Sequence, residues 1–230
     1  MIARLLAFAV LTLPLAAQAE TRRDMITSFD RVRVDGPYDV RLVTGPGATA
    51  VVEADRAALD QIAVEVQGTT LSITTHGFDS HRASPAGATP AVITLTTPTL
   101  RAATVNAGGQ LRITGMKAQR IDLYVGGSGS LSVTGAETDA LNATVMGAGS
   151  MILSGSAQRA RLSVSGPGAI DAGSLATNDL NVRLDGPGDI KAAARSTAAV
   201  TSLGTGGVAV SGTPTCTVTR TAGGPVICGK

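Results

Sequence analysis

The sequence predicts an all-β protein, a β-solenoid with about 20 residues per coil. Three observations lead to this prediction. A phrase in which apolar and variable residues alternate around a Gly-x-Gly centre recurs through the second half of the 230-residue chain. The second glycine of each phrase falls at positions 109, 129, 149, 168, 188 and 206, so the period is close to 20. Glycine, with 28 copies, is too frequent for long helices.

Each phrase reads as two short strands that meet at a glycine corner. One copy runs through Leu123, Val125, Gly127, Gly129, Leu131 and Val133. Alternation with a period of two places the apolar residues on one buried face. The glycines share the parity of the buried residues, so the corner has no room for a side chain or requires a positive φ. The weakest copy carries Ala107 where the others have the first glycine.

The N-terminal part follows the same pattern less regularly. Val32 to Leu42 fits the phrase, with Tyr38 in place of the second glycine. The next predicted elements are a strand (49–53), one or two helical turns with Asp55 as N-cap, a hairpin (62–66 and 70–75), an exposed loop (76–90) and a strand (91–97). No linker divides the chain. Residues 20–230 are therefore predicted to form a single elongated domain with an irregular N-terminal part.

Residues 1–19 are typical of a signal peptide. Arg4 supplies the positive charge, an apolar stretch follows, and Ala17-Gln18-Ala19 forms an A-x-A cleavage site before Glu20. The apolar stretch is shorter than the ~20 residues that span a bilayer, and no comparable run follows it. We expect an exported protein, periplasmic or secreted, with no membrane span in the mature chain.

Cys216 and Cys228 are the only cysteines, and export places them in an oxidising compartment. We expect them to form a disulfide that ties residues 213–230 into a C-terminal cap. A redox role is disfavoured because the C-x-x-C spacing is absent.

Several segments resemble one known family. They are the opening Phe29 to Leu42, which includes Asp35-Gly36-Pro37-Tyr38, the segment 51–55, the segment 66–73, and the later Gly-x-Gly repeats. In this order they resemble the putative auto-transporter adhesin, head GIN domain, family over roughly residues 28–212. The resemblance implies an exported, glycine-rich, right-handed parallel β-helix of bacteria. The family carries no agreed catalytic residues, so none is transferred to this chain.

Composition excludes several classes of function. The formal net charge is +2, which argues against nucleic-acid binding. Two histidines and two cysteines are too few for a zinc-ribbon or iron–sulfur protein. His76, Asp79 and His81 share one loop and are the metal-ligand candidates, but their spacing does not indicate a site. No cofactor is predicted.

Candidate binding residues stand at outward positions beside the glycine corners. Before the corner these are Thr104, Tyr124, Thr144, Ser163, Arg183 and Thr201; after it they are Arg112, Ser132, Ile152, Asp171, Lys191 and Ala209. Tyr124 is the one aromatic platform for a sugar among them. Asp171, Asp185 and Asp189, with Arg183 and Lys191 nearby, form the best group of carboxylates for acid/base chemistry or calcium binding. The competing interpretation is that Asp185 and Asp189 bracket a Gly-Pro-Gly turn, as Asp35 and Asp39 do.

These observations favour an exported, non-enzymatic, adhesin-like binding or scaffold module whose partner is an envelope glycan or protein. The alternative is a carbohydrate-active β-helix enzyme, a polysaccharide lyase or hydrolase. A third possibility is end-to-end assembly into fibres. The sequence does not fix the oligomeric state.

Overall fold

The computed structural model describes residues 20–75, 91–221 and 223–229, and these residues form a β-solenoid of about 6 turns with coils of about 20 residues. The strands are β1 (Glu20–Asp24), β2 (Arg31–Asp35), β3 (Asp39–Thr44), β4 (Thr49–Ala54), β5 (Ile62–Gln67), β6 (Thr70–Thr75), β7 (Val92–Thr97), β8 (Ala102–Asn106), β9 (Gln110–Lys117), β10 (Arg120–Gly127), β11 (Ser130–Gly147), β12 (Ser150–Ser165), β13 (Ala169–Asp185), β14 (Asp189–Ala194), β15 (Thr197–Ser202), β16 (Val208–Gly212), β17 (Thr215–Arg220) and β18 (Val226–Cys228). One short helix, α1, covers Arg56–Leu59. The predicted fold class is confirmed.

Two parallel sheets flank the glycine corners. The first sheet stacks the strands that lead into each corner: β6, β2, β8, β10, the ends of β11, β12 and β13, then β15 and β17. The second sheet stacks the strands that leave it: β7, β3, β9, the starts of β11, β12 and β13, then β14, β16 and β18. The long strands β11 to β13 run from the second sheet of one coil into the first sheet of the next. Each coil therefore pairs with the coil before and the coil after it.

Alternating side chains fill the space between the sheets. Val105, Val125, Val145, Val164 and Leu184 stack in adjacent coils of the first sheet and are fully buried. Burying such a side chain contributes about 1.5–3 kcal/mol relative to leaving it exposed. The same column continues into Ser202, which is also fully buried and whose hydroxyl has no hydrogen-bond partner among the described residues.

The two glycines of each corner are required for different reasons. From Gly127 to Gly186 the first has positive φ, for example +84° at Gly127 and +108° at Gly147, whereas Gly204 does not. The second lacks room: a Cβ on Gly149 would lie 2.5 Å from Val125 Cγ1 and 2.7 Å from the carbonyl oxygen of Gly129. Ala107 has φ +63° and is the one non-glycine residue with positive φ among the described residues. The alanine that weakens the first repeat therefore still adopts the left-handed backbone of the glycines.

The N-terminal coils are not stacked in chain order. β2 pairs with β6 on one side and with β8 on the other, and β3 lies likewise between β7 and β9. The coil made first in the chain is thus the second layer of the solenoid. The outermost layer, β6 and β7, is edged by the antiparallel strands β5 and β4, and β1 pairs antiparallel with β4.

Short local elements join these layers, and they match the sequence-based predictions. Asp55 caps α1, since its carboxylate accepts from Ala58 N at 2.8 Å. β5 and β6 form the predicted hairpin. The predicted loop 76–90 lies outside the described residues, as do residues 1–19.

The C-terminal segment adds another coil where the clear repeat ends. β17 pairs with β15 and β18 with β16, and Gly224 lies against the Gly206 carbonyl as the second glycines do in earlier coils. Cys216 and Cys228 occupy inward positions of the two sheets, and the predicted disulfide joins them across a sequence separation of 12. Val218, in the same layer, is 41% exposed, whereas its neighbour Val200 is fully buried. The disulfide therefore ties the two sheets together at the open end of the solenoid.

Among the described residues, none of the helical segments has the length and apolar character that crossing a membrane requires.

Candidate binding surface

Two rows of outward side chains run along the solenoid on either side of the corners. The first ladder, on the first sheet, is Ser72, Arg33, Thr104, Tyr124, Thr144, Ser163, Arg183, Thr201 and Thr219. The second ladder, on the second sheet, is Thr94, Arg41, Arg112, Ser132, Ile152, Asp171, Lys191, Ala209 and Ile227. The positions predicted from alternation stand side by side in both ladders. The alternation does not predict the members from β2, β3, β6 and β7, because their layer order does not follow the chain. It also does not predict Thr219 and Ile227, which lie beyond the clear repeat.

Tyr124 lies along its own strand toward the corner. Its hydroxyl donates to Met146 Sδ at 3.4 Å, and its ring covers the backbone of Gly126, where a Cβ would come within 3.0 Å of the ring. Met146 is itself 49% exposed. Tyrosine and methionine together form a small amphipathic patch at this corner, since both combine apolar surface with a polar or polarisable atom.

The predicted carboxylate group is divided between the two sheets. Asp171 and Asp189 are on the second sheet, whereas Arg183 is on the first. Asp171 accepts from the backbone N–H of Gly173 at 3.1 Å, and Asp189 accepts from that of Gly207, in the next coil, at 3.0 Å. Within the described part of the chain, no ion pair joins Arg183 to either carboxylate. Both carboxylates thus already have backbone partners.

A shallow depression lies near the C-terminal end of the second sheet. Its lining includes Asp171, Lys191, Ser211 and Ile227. Asp171 and Lys191 are lateral neighbours in adjacent strands. Ile227, at 65% exposure, supplies an apolar rim.

The ion pairs between described residues all lie in the N-terminal half of the solenoid. Arg33 Nε lies 2.6 Å from Asp35, and Arg112 lies 2.5 Å from Asp39. The hydrogen bond that Arg33 donates to Asp35, together with the negative charge of Asp35, raises the pKa of Arg33 above its ordinary value. Every ion pair between described residues joins positions from 20 to 137.

The remaining sequence candidates concern metal binding. His76, Asp79 and His81 lie outside the described residues. Within residues 20–75, 91–221 and 223–229, no three His, Cys, Asp or Glu side chains are grouped so that they could hold a metal ion.

The stacked coils and their outward ladders define a β-solenoid with two parallel sheets. Residues 28–214 match the family described as "Putative auto-transporter adhesin, head GIN domain", and the chain belongs to this family. The resemblance seen in the sequence is therefore confirmed. No curated protein matches the chain.

Solved structures share the fold. A putative adhesin from Bacteroides fragilis superposes with a TM-score of 0.84 at 23% identity, covering 94% of this chain and 98% of its own. A putative adhesin from Parabacteroides distasonis gives 0.70 at 20% identity, covering 91% and 96%. A protein from the same species, described as a putative lipid binding protein, gives 0.73 at 20% identity, covering 90% and 95%.

Proposed function

We propose that this protein is an exported, non-enzymatic, adhesin-like binding or scaffold module of the cell envelope. Membership of a family described as adhesins supports binding as its role. Export rests on the leader-like residues 1–19 and on the Cys216–Cys228 disulfide, because disulfides persist in oxidising compartments.

The observation that carries the proposal is the first ladder. It presents one outward side chain from every layer of a continuous parallel sheet, from Ser72 to Thr219. The strands beneath are fixed by fully buried residues such as Val125 and Val164. A face held in this way loses little conformational entropy when an extended partner settles on it, which favours affinity.

The test is binding of envelope material by the full chain, produced with its own leader. N-terminal sequencing of the product should find Glu20 first. The protein should then bind isolated envelope glycan or envelope protein and leave the polymer intact. A folded product that still carries residues 1–19 would contradict export, and one that binds no envelope fraction would contradict the binding role. Vesicles belong in the panel because one structural relative is described as a lipid-binding protein.

A second candidate is a polysaccharide lyase or hydrolase. The depression beside Asp171 and Lys191 favours it, because a carboxylate and an amine meet there on neighbouring strands. If this candidate is right, the protein should cleave a uronate polymer, and Asp171→Asn and Asp189→Asn should each abolish cleavage. A polymer of unchanged length after prolonged incubation would exclude it for that substrate.

A further inference from the structure

In the part of the chain that the structure describes, no arginine of the C-terminal half forms an ion pair with a carboxylate. The cations there are Arg159, Arg161, Arg183, Lys191, Arg195 and Arg220, and within the described ranges none of them forms an ion pair. In the N-terminal half, by contrast, Arg33, Arg101 and Arg112 are all paired with aspartates. Positive charge on this half of the molecule is therefore available to a ligand.

Three of these arginines form a row on the first sheet. Arg159 and Arg161 are exposed and two residues apart on β12, so they share its outer face. Arg161 pairs laterally with Asn181, and Arg183 lies two residues further along β13. The Cα atoms of positions related in this way are ~7–8 Å apart. The row crosses two strands diagonally.

Two carboxylates lie near the row, and in the described structure neither forms an ion pair with its arginines. Asp179, beside Arg159, accepts from the Thr197 hydroxyl at 2.7 Å. Asp185 stands two residues beyond Arg183, as Asp35 does beyond Arg33.

The two aspartates differ in their lateral neighbours. The Asn106 amide donates to Asp35 Oδ1 at 2.6 Å, and Asp35 Oδ2 pairs with Arg33. The lateral neighbour of Asp185 is instead Ser165. No side-chain donor fixes Asp185 in this way among the described residues.

Hydrogen-bonding groups without other partners lie between the arginines. Asn181 is beside Arg161, and Ser163 is beside Arg183. In the described structure the side chains of both make no hydrogen bond to other residues. The amide of Asn181 and the hydroxyl of Ser163 can form hydrogen bonds with the hydroxyls of a sugar ring.

We infer that Arg159, Arg161 and Arg183 form a binding site for a linear glycan that carries carboxylate groups. The inference rests on the proposed binding function and names the chemistry of its ligand. A guanidinium offers two parallel N–H donors to a carboxylate, which gives both attraction and orientation. Nucleic acid fits less well, because its single strands are held by stacked aromatics, and none of the lateral neighbours of these three arginines is aromatic.

The experiment compares binding of polygalacturonate, neutral dextran and oligo-dT to the full chain, produced with its leader and purified from the envelope. Arg161→Gln/Arg183→Gln should weaken polygalacturonate binding about tenfold, because two exposed charge-assisted contacts are lost. Arg33→Gln is the matched control. It removes a positive charge from the same ladder, but that charge is already neutralised by Asp35. It should change affinity less than twofold, and neither variant should alter the melting temperature.

The inference would be overturned by equal affinity of the double variant and the wild type, by an equal loss with Arg33→Gln, or by tighter binding of oligo-dT than of polygalacturonate. Binding should also weaken as salt is added. Wild-type protein that binds neutral envelope material but not polygalacturonate would overturn this inference and leave the proposed function standing. Folded protein that binds no envelope fraction would overturn both.

Discussion

Adding a single methyl group at the second glycine of a corner tests the packing of the whole solenoid. In Gly149→Ala the new Cβ would meet Val125 Cγ1 at 2.5 Å and the Gly129 carbonyl oxygen at 2.7 Å. Both atoms belong to the neighbouring coil, and one is backbone, so the coils must separate. Overpacking of this kind costs about 3 kcal/mol. For a domain of this size that corresponds to a melting temperature about 6–12 °C lower.

The first glycine of a corner provides a graded comparison. Gly127→Ala forces an alanine into φ +84°, which costs about 1–2 kcal/mol. The less flexible unfolded chain returns about 0.4–1 kcal/mol, so the net loss is about 1 kcal/mol. In thermal unfolding followed by circular dichroism, the melting temperature of Gly149→Ala should therefore be clearly lower than that of Gly127→Ala.

Gly45→Ala is the matched control, because its φ is not positive and a Cβ there meets nothing within 4 Å. Its melting temperature should equal or slightly exceed that of the wild type. If Gly149→Ala melted within about 2 °C of Gly45→Ala, the steric explanation of the repeat glycines would be refuted.

Three further predictions concern single positions in the same assay. Ala107→Gly should raise the melting temperature by about 2 °C, because it relieves an alanine at φ +63°; a fall would show that this backbone is unstrained. Ser202→Ala should stabilise the protein by about 1 kcal/mol, since it removes a buried hydroxyl without a partner, and a loss of stability would reveal a bond to water there. Cys216→Ser should destabilise the C-terminal coil by about 3 kcal/mol, because the disulfide closes a loop with a sequence separation of 12. Reductant should lower the melting temperature of the wild type but not of this variant, and an equal response would contradict the prediction.

Local pattern predicted the coils of the second half well. Alternation alone predicted that Tyr124 lies beside Thr144 and Arg183 beside Thr201, because each coil repeats the same parity around its glycines. The strand 49–53, the Asp55 cap and the hairpin also followed from local signals.

Layer order could not be predicted in the same way. Arg31 pairs with both Thr70 and Ala102, and nothing in a short alternating strand specifies which partner lies on which side. The last coil was missed because its inward positions are filled by Cys216 and Cys228 rather than by a clear apolar series.

The arginine row was only partly visible in the sequence. Alternation identifies Arg183 as outward, but whether an arginine is neutralised depends on its lateral neighbours, which are 18 to 20 positions away. Arg33-x-Asp35 and Arg183-x-Asp185 have the same spacing, and only the first is an ion pair. The distinguishing group is Asn106, which the sequence does not mark.

The interleaved order of the first layers decides how this molecule can be shortened. Deleting the chain up to residue 44 would remove β2 and β3 from between other layers and leave β6 and β7 without the strands that join them to β8 and β9. Deleting residues from 213 onward removes only the last layer and uncovers a similar one beneath it. Functional truncations should therefore be made from the C-terminal end, one coil at a time. A nascent chain likewise cannot complete the outermost layer, β6 and β7, until residues up to 97 have been synthesised.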